Sequence, residues 1–167
     1  MDVIAVVDPV ISQISPRHFK AFLVKPFQSI FKFIKERNRF SSLFVCGDAT
    51  KNMEIMGETA PDSIFVDENI DMLQAKTILA PFNVVLGGNI PLTTIMLYGS
   101  QQDNMKYVVD LLAKIGTKNV IIAPGCDMPY DVPEDNTIGV LQAVQEPDVI
   151  RTALLDYQSV EENIHID

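Results

Sequence analysis

Short apolar runs alternate along this chain with longer stretches of helical period. "VIAVV" (3–7) is apolar throughout and rich in β-branched residues, which predicts a buried strand. The next segment, "SPRHFKAFLVKPFQSIFKFIKER", places Phe19, Phe22, Leu23, Phe27, Ile30, Phe31 and Ile34 three and four apart, the stripe of an amphipathic helix. Ser15 and Pro16 form a cap and first-turn pair. Pro26 lacks a backbone donor and is expected to kink or split the helix.

The pattern then repeats. "LFVC" (43–46) precedes a helix from about Thr50 to Thr59, and "SIFVD" (63–67) precedes the helix "DMLQAKTIL" (71–79), with Asp71 read as a cap or turn residue. "NVVLGG" (83–88) leads through a loop to a helix from about Gln101 to Ile115, capped by Ser100. "NVIIAP" (119–124) leads through a proline-rich loop to a helix from about Pro133 to Val144, and an amphipathic piece, "DVIRTALLDYQSV", follows. Strands apolar on both faces, each followed by a helix, predict an α/β fold: a parallel sheet with helical cover and right-handed crossovers. The length suits a single domain, 1–167.

In such sheets, polar residues at the carboxyl ends of the strands are the ones placed for chemistry. Here those ends carry Asp8, Cys46, Asp67, Asn89 and Cys126. Cys46 ("VCGD") and Cys126 ("PGCD") each stand beside glycine and aspartate, and two thiolates facing one pocket suit zinc. The alternative is that both are small buried hydrophobes. Asp8 and Asp67 are the candidates for acid, base or substrate contact, with Glu68 beside them, and Asn89 is the candidate on the cofactor side. Neither His18, inside the first helix, nor His165, near the end, lies at a strand end, and no G-x-G-x-x-G or phosphate-loop pattern occurs.

Composition narrows the function classes. The apolar share of 47% supplies a substantial core, and a net charge of −9 argues against a nucleic-acid partner. The apolar runs are too short for a membrane span, and the acidic start is a poor signal peptide. Two cysteines so far apart make no disulfide framework, so a reducing, cytoplasmic setting is expected.

Four blocks carry a resemblance: "DPVISQISPRHFKAFLVKPF", "VCGDATKNMEIMGETAPDSIFVDENIDMLQAK", "GGNIPLTTIMLYGS" and "APGCDMPYDVPEDNT". In this order they resemble the C-terminal part of the uroporphyrinogen decarboxylase superfamily. The "PGCD" block is closer to the zinc methyltransferases that move a methyl group from a corrinoid protein to a thiol such as coenzyme M. The resemblance implies a TIM (β/α) barrel whose zinc is held by a histidine and a cysteine in an H-x-C-G block and by a second cysteine in the P-G-C block. Carried onto this chain, Cys46 and Cys126 are the metal ligands. The histidine position is Phe44, and a phenyl ring has no lone pair for zinc. Asp8, Asp67 and Asp48 are the candidates for a compensating ligand.

A full barrel needs eight β/α units and about 250 residues. Five units therefore predict a partial barrel, corresponding to the C-terminal part, with two open strand edges. That implies a homodimer, a separate N-terminal half, or a rearranged open α/β domain. The functional expectation is corrinoid-to-thiol methyl transfer with a zinc-activated thiolate. Its rivals are a non-catalytic barrel binding a corrinoid protein, a tetrapyrrole or its own missing half, and a decarboxylase-like tetrapyrrole site.

Overall fold

A computed structural model describes residues 1–152, so most of "DVIRTALLDYQSV" and all of His165 lie outside the described residues. The chain divides into two compact units, Met1–Asn89 with Thr117–Cys126, and Ile90–Gly116 with the described residues from Asp127 to Thr152.

The first unit is built on one parallel sheet of β1 (Val3–Val7), β2 (Phe40–Val45), β3 (Ser63–Val66), β4 (Val85–Ile90) and β5 (Val120–Pro124), side by side in chain order. The expected fold class is what the strands form. Sequential parallel order, with a helix between most neighbours, is how consecutive strands of a barrel are laid down.

Register sorts the side chains. Leu43 pairs with Ile64 and Val45 with Val66, and all four are fully buried. They form the face covered by helices, and α2 packs directly on β2. Each such side chain contributes about 1.5–3 kcal/mol by leaving water. Val7, Phe44, Phe65 and Gly87 share one row on the opposite face. There Phe44 and Phe65 are only half-buried and Val7 is exposed. Alternation along each strand makes one face a closed core and the other a partly open one.

Between β1 and β2 the helical stripe divides into α1 (Pro16–Phe22) and α2 (Val24–Lys35). The break falls at Leu23, which closes α1 and opens α2 with a φ of −113°, and Pro26 sits in the first turn of α2, where its missing N–H costs little. Splitting there rephases the pattern. Val24, Phe27, Phe31 and Ile34 form the buried stripe, while Phe22 and Ile30 fall outside it. The helix expected over 50–59 is a short 3-10 turn followed by α3 (Met53–Glu58). The next, α4 (Met72–Leu79), is capped by Asp71, whose carboxylate accepts from the Gln74 N–H.

The second unit contains α5 (Gln101–Ile115) and α6 (Glu134–Gln145). Gly139 lets them meet, because a Cβ there would lie 2.8 Å from the Gln101 side chain. Leu92–Leu97, read as loop, is a π-helix, whose wide turns leave carbonyls in need of donors. Buried asparagines supply them. Asn104 donates to the carbonyls of Ile95 and Ser100, and Asn136 to those of Met96 and Gly99. The first unit uses the same device twice, with Asn52 on Ile11 and Ile14 and Asn89 on Asp67 and Ile70.

Candidate functional site

One more step of strand alternation beyond Phe44, Phe65 and Gly87 reaches Cys46, Asp67 and Asn89, so the carboxyl rim gathers them on the partly open face. The turn after Cys46 needs Gly47, which has φ +82° and where a Cβ would stand 2.8 Å from the Ser12 hydroxyl. Its N–H donates to Asp67 Oδ2 at 2.8 Å. The other oxygen of Asp67 accepts from the Asn69 N–H at 3.0 Å and from the Asn69 side-chain amide. Asp67 is 8% exposed, and both of its oxygens are engaged in holding backbone and side chain around the cysteine turn.

The exit of β5 reaches the same place by a different contact. A Cβ on Gly125 would lie 2.7 Å from the backbone nitrogen of Glu68, so only glycine lets this turn rest on the Asp67–Glu68 segment. Cys126 follows, and its sulfur meets that of Cys46. The two Cα atoms are 6.1 Å apart, and the pair is joined as a disulfide across a sequence separation of 80. That spacing lies inside the range disulfides occupy. Strands two and five of a flat sheet would be about 14 Å apart, so the sheet must curl to bring these ends together. That they are joined corrects the expectation that two cysteines so far apart make no disulfide: topology, not sequence proximity, closes the gap.

The remaining candidates each have hydrogen-bond partners or neighbours of their own. Asp8 caps a 3-10 turn, accepting from the Val10 N–H at 2.9 Å, while its own N–H donates to the Phe44 carbonyl. Asp48 accepts from the Thr50 N–H at 3.0 Å, and bonds with the Thr50 hydroxyl and N–H hold its carboxyl below the ordinary aspartate value. Asn89 is 2% exposed and is committed to the Asp67 and Ile70 carbonyls. The His18 ring lies 6.1 Å from that of Phe22 in α1, tilted by 33°.

A catalytic zinc takes three protein ligands and an open position. Cys46 and Cys126 supply two, Phe44 stands where the resemblance expects a histidine, and no group of three His, Cys, Asp or Glu residues could hold a metal ion among the described residues. The donor set of these residues does not fit a complete zinc centre. Reading by pattern missed Gly47, Gly125 and Asn69. The visible clue was a glycine next to each cysteine; the partners that make those glycines necessary lie far along the chain.

The family model described as uroporphyrinogen decarboxylase (URO-D) matches residues 1–147. The chain is 27% identical over 136 residues to a uroporphyrinogen decarboxylase of Microcystis aeruginosa, which covers 80% of this chain and 38% of that protein. It is 26% identical over 138 residues to the methylcobamide:CoM methyltransferase MtbA of Methanosarcina acetivorans, covering 81% of this chain and 39% of that protein. A solved methyltransferase from Methanosarcina mazei superposes with a TM-score of 0.76 at 27% identity, over 87% of this chain and 42% of that one. The chain thus spans about two-fifths of the length of the relatives it matches.

Proposed function

The chain belongs to the uroporphyrinogen decarboxylase family, and from that premise we propose that it is the sulfur-bearing part of a methyltransferase-type barrel, acting on a methylated corrinoid and a small thiol. One observation carries the choice of branch: two cysteine sulfurs meet at the carboxyl rim of the sheet. A decarboxylase-like site has no evident use for such a pair. Cys46 and Cys126 are the working residues in this reading, in their reduced form and hence in a reducing, cytoplasmic setting. Asp67 positions the Cys46 turn through the Gly47 N–H.

In this reading a third donor comes from outside the described residues, because Phe44 gives none. The open edge of β1, with Val3 and Val7 exposed, suits strand pairing with a separate N-terminal barrel half or a second copy of the chain. No helix among the described residues is long and apolar enough to cross a membrane.

A second reading is favoured by the half-open row of Val7, Phe44 and Phe65 below the cysteines. An apolar row in place of a metal ligand suits binding of a corrinoid protein or tetrapyrrole without turnover. One assay separates the two. Reduced protein is mixed anaerobically with methylcobalamin and coenzyme M, with and without a co-expressed N-terminal barrel half, and methylated thiol is measured. Product that disappears in Cys46→Ala and Cys126→Ala supports methyl transfer. Corrinoid binding without product selects the second reading, and neither result would leave both without support.

A further inference from the structure

We propose that Cys46 and Cys126 form a thiol–disulfide exchange site whose co-substrate is a small-molecule disulfide, with cationic disulfides preferred. The inference concerns the same sulfurs as the proposed function but rests only on their geometry, so it stands or falls separately from methyl transfer.

Three observations carry it. The pair is joined as a disulfide with Cα atoms 6.1 Å apart, so the fold accommodates the oxidised form without rearrangement. Both cysteines are partly exposed, which gives an incoming disulfide access. The donor set is too small for a complete zinc centre, so among the described residues nothing competes with the sulfurs for each other.

The chemistry balances without another reagent. A thiolate of the pair attacks one sulfur of the incoming disulfide, XS–SX, breaking the S–S bond and releasing one XS⁻, which takes up a proton to become XSH. The second cysteine then attacks the protein sulfur of the mixed disulfide. The Cys46–Cys126 bond forms, the second XSH leaves, and two electrons have passed from protein to XS–SX. Excess small thiol runs the sequence backwards.

Charge sets the preference. Asp48 lies two residues beyond Cys46, Asp67 holds the Cys46 turn, and the Glu68 backbone lies under the Gly125–Cys126 turn. Lys51 is the neighbouring cation. Two carboxylate side chains, Asp48 and Asp67, against one lysine attract a cationic disulfide and repel an anionic one, an effect that salt screens.

The test treats the reduced chain, residues 1–167, with cystamine or with oxidised glutathione, and follows intact mass and released thiol. Closure predicts two thiols released per chain, a protein about two mass units lighter, and full reversal by dithiothreitol. Cys46→Ser and Cys126→Ser should each stop at one stable mixed disulfide with one thiol released. Cystamine should react about tenfold faster than oxidised glutathione at low salt, with the ratio falling as salt rises. Two stable caps on the wild type, or a disulfide between two chains, overturns the site. Equal rates for the two oxidants overturn the preference. If the serine variants fail to fold, the wild-type mass still decides between closure and double capping. A protein that closes but transfers no methyl group keeps this inference and loses the proposed function; one that transfers methyl but never closes does the reverse.

Discussion

The turn that ends β2 and the start of α5 solve the same problem, unsatisfied backbone N–H groups at the end of an element, by opposite means. At α5 the solution is local. Ser100 accepts from the Asp103 N–H and Asp103 accepts from the Ser100 N–H, a capping box contained in four residues. At the cysteine turn it is distant: the Gly47 N–H finds Asp67, 20 positions on, and Gly125 rests on Glu68 from a third strand end. A local cap stabilises its own helix and little else. The rim ties three strand ends together, so a change at any one of them is expected to reach the two sulfurs.

The largest effect is expected where the coupling is backbone against backbone. Gly125→Val would force a side chain into the Glu68 backbone, costing about 3 kcal/mol and abolishing closure of Cys46 with Cys126. Denaturant unfolding and a thiol count on the folded protein check both parts. A loss of stability with normal closure would break the idea of a coupled rim.

Asp67→Ala ranks next. It strands the Gly47 and Asn69 N–H groups and should cost about 2 kcal/mol, with slower closure of the cysteine pair as its signature. Asp67→Asn keeps the shape and one acceptor, and should recover part of the loss. If Asn behaves like Ala, the carboxylate has a role beyond accepting these bonds.

Ser100→Ala should cost about 1 kcal/mol and leave the reactivity of both cysteines unchanged. Altered thiol chemistry in this variant would mean that the local device is not local.

The smallest effect is a pH dependence. Bonds from the Ser100 N–H and hydroxyl hold the Asp103 carboxyl below its ordinary value. Its stabilising contribution is therefore fully present above the unfolded aspartate pKa and is lost as pH falls through the lower folded value. Asp103→Asn should flatten that acid limb by about half a kcal/mol, read from urea midpoints between neutral and strongly acidic pH.

The same contrast explains how much was legible beforehand. Ser15, Asp71 and Ser100 were readable as caps because a cap and its recipient lie within one turn. The strands were readable because both faces of a parallel sheet are apolar. The stripe through Phe22 and Ile30 misled because the break at Leu23 is a tertiary choice that periodicity does not encode. At the site, the list of strand-end residues followed from pattern, but their pairing did not. Asp67 looked like a free acid, and only the fold reveals that both of its oxygens are engaged. Phe44 signified a missing ligand only beside the family's pattern; the sheet adds that it lies in one row with Val7 and Phe65.

Asn52, Asn89, Asn104 and Asn136 are all 2% exposed or less, and each points its nitrogen at two carbonyl oxygens. At these four places shape is nearly irrelevant and polarity decides. Replacing one such amide by a carboxylate, as in Asn136→Asp, would leave a group of almost the same outline that repels both of its former partners.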